Sequence, residues 1–82
     1  MDFVPPSQFT ELDTSGLKCP EPVMMLHANV RQRVAGDVIK MIATDPSTQR
    51  DVPKFCHFLG HTLLAREDRS DDYIYWIEIA AR

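Results

Sequence analysis

The segment Gly16-Leu17-Lys18-Cys19-Pro20-Glu21-Pro22 holds the most reactive arrangement of residues in the chain. Proline is favoured at the first helical position because its missing N–H would be an orphan there anyway. Pro20 and Pro22 therefore mark a helix start, with Cys19 at or beside the N-cap. A thiol at that place meets the positive end of the helix dipole, which favours thiolate, the nucleophilic form. Lys18 pushes the same way and Glu21 pushes against it. The two prolines also remove amides that would have pointed at the sulfur, so the expected effect is modest. A thiol that both receives and gives away sulfur works best in that middle range. The prolines stiffen the backbone after the cysteine and present it on a fixed, exposed ledge. The nearest histidine in sequence, His27, is two turns along the helix, which argues against a Cys-His hydrolase. The plainer alternative is a small hydrophobe packed at a helix start, but flanking Lys, Pro and Glu speak against burial.

The other residues with chemical potential have ordinary readings. Cys56 lies on an apolar stripe and reads as a buried, inert thiol. Its functional alternative is a resolving partner for Cys19, which requires Cα atoms within about 7 Å. His27, His57 and His61 sit on different elements with no ligand spacing, so surface or boundary roles are expected and no metal site. Met24 and Met25 read as core residues, with a soft docking surface as the alternative. Tyr73, Tyr75 and Trp76 read as strand and core residues rather than a base-stacking platform, because no basic groove accompanies them. Asp68, Asp71 and Asp72 read as a solvated loop.

These residues must be positioned by a small set of elements. Residues 1–8, with Pro5 and Pro6, read as a flexible N-terminal tail, and residues 9–82 as a single domain. Phe9 to Asp13 is a first strand, broken by Thr14-Ser15-Gly16. From Pro20, apolar Val23, Leu26, Val30 and Val34 recur at helical spacing, with Arg31 and Arg33 in the last turn and Gly36 as the stop. Val38 to Thr44 is a buried strand. Asp45-Pro46-Ser47-Thr48 is a turn carrying N-cap candidates. A second helix comes next, with Val52, Phe55, Cys56 and Leu59 on one face, Pro53 in its first turns and Gly60 at its end. Thr62 to Glu67 and Tyr73 to Ala81 are the last strands, an antiparallel hairpin around the polar turn Asp68 to Asp72. The order β-α-β-α-β-β predicts an α/β (α+β) two-layer sandwich: a four-stranded mixed sheet with two helices on one face and right-handed crossovers.

Composition narrows the function further. Eighty-two residues with 44% hydrophobic content build a core but not an enclosed pocket for a large substrate. The net charge of −3 and the scattered basic residues argue against a direct nucleic-acid grip. No stretch is apolar enough for a membrane span, and Met1 to Ser15 has no secretory signal, so the expected compartment is the cytoplasm. Two cysteines exclude a disulfide framework.

The segment from Gly16 to Val23, with its C-P-x-P core at Cys19 to Pro22, resembles the signature of the TusA/SirA sulfur-carrier family. The block Asp45-Pro46-Ser47-Thr48, followed by Asp51-Val52-Pro53-Lys54-Phe55-Cys56, resembles it too, and the Phe-Cys pair is most like the TusA branch. The likeness runs from about Phe9 to Ala81. It implies the sandwich already read and a sulfurtransferase activity without a cofactor. Cys19 would accept a persulfide sulfur from a cysteine desulfurase and pass it to a TusBCD-like relay complex. The end point would be 2-thiouridine at the tRNA wobble position. Other members feed molybdenum-cofactor synthesis or sulfur oxidation. Pro20 and Pro22 carry over as the frame, and Lys18 matches a position usually basic in the family. A monomer would suffice. Two readings compete with the carrier: a protein-binding regulator in which Cys19 is incidental, and a redox sensor joining Cys19 to Cys56.

Overall fold

A computed structural model describes residues 3–81. Met1 and Asp2 of the expected tail, and Arg82, lie outside the described residues. The elements run β1 (Thr10–Thr14), α1 (Glu21–Val30), β2 (Val38–Ala43), α2 (Thr48–Leu59), β3 (Thr62–Asp68) and β4 (Tyr73–Glu78). The four strands form one sheet in the order β1-β2-β4-β3. β1 is parallel to β2, with Leu12 opposite Met41. β4 is antiparallel to both β2 and β3, which makes the sheet mixed as expected.

Strand periodicity sorts the side chains onto two faces. Leu12, Ile39, Met41, Ala43, Tyr75 and Ile77 point to the helix side and meet Leu26, Val30, Val52, Phe55 and Cys56. The alternate residues Val38, Ile74 and Trp76 form a second cluster on the opposite face, with Phe3, Ile42, Leu64 and Ala65 against it. There Phe3 and Phe9 lie 5.4 Å and 5.0 Å from the Trp76 ring. Leu63 joins the helix-side core, and the register shift between Leu63 and Ala65 lets the consecutive residues Leu64 and Ala65 both pack against the other cluster.

The ends of two elements differ from the sequence reading. Helix α1 ends at Val30, not near Val34, and Val34 is exposed. The N–H groups of Gln32 and Arg33 reach back only three residues, and the Asp37 carboxylate takes the Val34 N–H at 3.0 Å. This local acceptor outcompetes the helix. Arg33 leaves the helix end and donates to the Thr10 hydroxyl at 2.9 Å, while Gly36 supplies φ 92° in the following turn. Strand β4 stops at Glu78 rather than Ala81, because the Ala80 N–H goes to Nδ1 of His61 at 3.0 Å instead of a strand carbonyl.

Pro53 stands sixth in α2, beyond the first turn. Proline cannot donate to the carbonyl four residues back, here Gln49. That carbonyl instead accepts Nη2 of Arg66 at 3.3 Å, tying α2 to β3. Gly60, at φ 78°, closes the helix, and the His61 N–H bonds the Cys56 carbonyl at 2.9 Å.

Candidate active site

The loop that carries Cys19 leaves the carboxyl end of β1 beside the carboxyl end of its parallel neighbour β2, and it hangs from the turn between β2 and α2. Thr14 starts the attachment: its buried hydroxyl donates to the Ile42 carbonyl at 2.6 Å. The Gly16 N–H donates to the Thr44 hydroxyl at 2.8 Å, with the chain reversing at Gly16 with φ 81°. The Cys19 N–H then donates to Oδ2 of Asp45 at 2.6 Å. The other oxygen of Asp45 accepts the Ser47 N–H at 3.0 Å, an Asx turn that opens α2. The Ser47 and Cys19 amides together hold the Asp45 carboxyl below its ordinary range. One side chain thus couples the start of α2 to the cysteine loop.

Below this turn the Thr48 hydroxyl donates to the Asp45 carbonyl at 2.7 Å and shares a buried hydrogen bond of 2.9 Å with the Tyr75 hydroxyl. The loop geometry is therefore anchored in the core of the sheet.

Pro20 is the N-cap of α1, one place earlier in the helix frame than its expected first helical position, and the Met24 N–H bonds its carbonyl at 3.1 Å. The Cys19–Pro20 peptide bond is cis, in a turn where the Glu21 N–H bonds the Lys18 carbonyl at 2.9 Å. Glu21 is the first helical residue and faces solvent, while Pro22 is fully buried. Lys18 is exposed on the same loop, and its charge bears on Asp45.

Cys19 itself is exposed, which sets aside the packed-cysteine reading. Its sulfur donates to Oδ2 of Asp51 on α2 at 3.6 Å. The other oxygen of Asp51 accepts Nε of Arg50 at 2.8 Å, and this bond is the main reason the Asp51 carboxyl lies below its ordinary range. The sulfur stands at the end of an apolar groove of about 350 Å³ between α1 and α2, walled by Val23, Met24 and His27 on one side and Lys54, Phe55 and Phe58 on the other. Phe58 is 77% and Met24 62% exposed. Met24 and Met25, expected in the core, are surface residues: α1 buries the face of Pro22, Leu26 and Val30, and both methionines lie off that face.

Cys56 is buried in the core, and burial pushes its thiol up to about 11. At neutral pH it is neither charged nor presented to a partner, a poor resolving thiol for Cys19. His61 is buried, stacked on Phe55 and bonded to the Ala80 amide, so it is a structural residue. Among the described residues, no three His, Cys, Asp or Glu side chains gather as a metal site. No helix among them is long and apolar enough to cross a membrane.

Asp45, Asp51 and Phe58 were not singled out from the sequence as site residues. Asp45 had a signal in its Asp-Pro-Ser pattern, typical of an Asx turn. Asp51, Phe55 and Phe58 recur at i, i+4 and i+7, a stripe displaced by one residue from the buried one.

Chemically, the arrangement offers an exposed, rigidly held sulfur nucleophile, one carboxylate acceptor and an apolar landing surface. The groove at the sulfur is open to solvent.

Comparison with known proteins agrees with that chemistry. The family model described as sulfurtransferase TusA matches residues 10–79. The sulfur carrier protein TusA of Pseudomonas putida (strain W619) is 58% identical over 76 residues, covering 93% of this chain and 91% of the relative. The protein of the same description in Pseudomonas entomophila (strain L48) is 64% identical over 66 residues, covering 80% and 82%. Its counterpart in Pseudomonas aeruginosa (strain LESB58) is 59% identical over 66 residues, covering 80% and 84%.

Proposed function

The chain belongs to the TusA family of sulfurtransferases and is a sulfur carrier, and from that premise we propose that the sulfur rides as a persulfide on Cys19. The observation that carries this reading is the exposed Cys19 thiol, fixed through its own amide to Asp45, at the end of an apolar groove. In loading, the Cys19 thiolate attacks the outer sulfur of a donor persulfide, forms Cys19–S–SH and releases the donor thiolate. In discharge, an acceptor thiolate attacks that outer sulfur and regenerates the Cys19 thiolate. Lys18 and Glu21 flank the reacting sulfur, and Pro20 and Pro22 frame it.

The donor in this reading is a cysteine desulfurase, and the acceptor a TusBCD-like relay protein leading to 2-thiouridine at the tRNA wobble position. The work is cytoplasmic and needs no cofactor. Both partners dock on the same face, because Met24, Phe58 and Leu59 form exposed apolar surface on the two helices beside Cys19. Such a patch, bordered by charged Asp51 and Lys54, suits a protein partner.

The test is an intact mass after incubation with a cysteine desulfurase and cysteine, without reductant. The expected result is one added sulfur, removed by dithiothreitol and missing in Cys19→Ser. An unchanged mass, with the desulfurase shown active on another acceptor, would overturn the assigned donor. Retention of cellular function by Cys19→Ser would favour the regulator reading instead.

A further inference from the structure

The charged and titratable groups around the Cys19 sulfur come from three elements. The loop gives Lys18, α1 gives Glu21 and His27, and the turn and helix after β2 give Asp45, Arg50, Asp51 and Lys54. Among the described residues, the sulfur's one side-chain hydrogen bond is to Asp51. Arg50 is turned onto the far oxygen of Asp51, so Oδ2 is the oxygen left facing Cys19. Asp45, the other nearby carboxylate, is committed through both oxygens to backbone amides. Lys18 and Lys54 are exposed, where solvent screens them. The group that meets whatever the sulfur carries is therefore an ionised carboxylate that can only accept a hydrogen bond.

A loaded Cys19 extends by one S–S bond, about 2.05 Å. Oδ2 stands 3.6 Å from Sγ, so rotation about Cβ–Sγ that turns the outer sulfur toward α2 brings it within hydrogen-bonding range of Oδ2. The protonation of that outer sulfur decides whether it can be handed on. As S–SH it is electrophilic. As S–S⁻ it repels the incoming thiolate. A carboxylate beside it disfavours the anion by like charge and favours the neutral form by accepting its proton in a hydrogen bond.

We propose that Asp51 is a catalytic residue of sulfur discharge, whose carboxylate accepts the S–H of the loaded Cys19 persulfide and keeps the outer sulfur neutral until an acceptor thiolate attacks it. The acceptor sulfur bonds to the outer sulfur, the S–S bond breaks, and its electron pair leaves on Cys19 as thiolate. The proton stays on the transferred sulfur. This inference rests on the Cys19 carrier reading.

The experiment loads the wild-type protein, Asp51→Asn, Asp51→Ser and Asp51→Glu with inorganic polysulfide, which needs no partner. The Cys19 thiolate takes one sulfur and a proton, and the polysulfide dianion leaves one sulfur shorter. Excess reagent is removed, and loading is counted by intact mass against Cys19→Ser. Discharge to β-mercaptoethanol is then timed from acidic to alkaline pH, a range that includes the ionisation of a persulfide, which is more acidic than a thiol, with rates divided by the thiolate concentration. The falling limb of that profile reports ionisation of the persulfide. It is expected about one pH unit lower in Asp51→Asn and Asp51→Ser than in the wild type, with Asp51→Glu close to the wild type. Coincident limbs in fully loaded wild type and Asp51→Asn would overturn the role of Asp51 and leave the carrier intact. Wild-type protein that takes no sulfur on Cys19 would overturn the carrier reading, and this inference with it.

Discussion

Replacing Phe58 with alanine separates docking from folding, because the ring is 77% exposed and so contributes little to the core. A phenylalanine ring buries roughly 200 Å² when fully covered. Covering the exposed part would remove about 150 Å² from water, worth about 4 kcal/mol at 25 cal/mol per Å². That figure is a ceiling, since alanine keeps part of the area and ordering the ring at an interface opposes binding. About half of it, about 2 kcal/mol, is the expected loss, or about 30-fold in Kd for the cysteine desulfurase. Folding stability should change by under about 0.5 kcal/mol, as for surface positions generally. The assay is calorimetric titration of the desulfurase with each form, beside a urea melt. An unchanged Kd in a normally folded Phe58→Ala would refute the helix face as the landing surface.

The same structure sets four further outcomes. Iodoacetamide at neutral pH should alkylate Cys19 and spare Cys56, whose thiol sits near 11; peptide mapping that finds both modified in the folded protein would contradict the burial of Cys56. Thr48→Val removes two hydrogen bonds and strands the buried Tyr75 hydroxyl, so the urea melt should show about 2 kcal/mol lost, with Thr48→Ser largely retaining stability. Asp45 has its folded pKa depressed, so its stabilisation of the loop is full above the free carboxylate value of about 3.9 and is lost as pH falls through its lower folded value. Hydrogen exchange at the Cys19 amide should therefore lose protection in that acid window, and an Asp45→Asn variant should lack the acid step. Donor and acceptor proteins should compete for one face, so a stable ternary complex in sedimentation would refute shared docking.

The element order was legible because its carriers are local. Val38 to Ala43 is short and rich in branched residues, and Val52, Phe55 and Cys56 repeat at helical spacing on the buried side of α2. The reactive ledge was legible for a similar reason, since a cysteine between Lys18 and Pro20 is an unusual neighbourhood. The features that escaped depend on distant partners. The end of α1 is decided by Asp37 and Thr10, and the end of β4 by His61, nineteen residues away. Met24 and Met25 have apolar side chains that composition alone assigns inward, but the helix phase set by Pro22, Leu26 and Val30 turns them out. Asp51 looks like an ordinary first-turn acid until the fold brings it across thirty-two positions to the sulfur.

The second cluster, behind the sheet, sets what light can report about this protein. Trp76 is the single tryptophan, held against Phe3 and Phe9 on the face away from the helices, with the Lys40 ammonium 5.7 Å from its ring. Its emission is therefore a gauge of the amino-terminal segment and of the intact sheet, and it has no line of contact to the cysteine ledge. Sulfur loading and partner docking should leave it unchanged, while release of Phe3 should shift it. An optical assay of the carrier's cargo thus needs a dye or a second indole placed on the helix side.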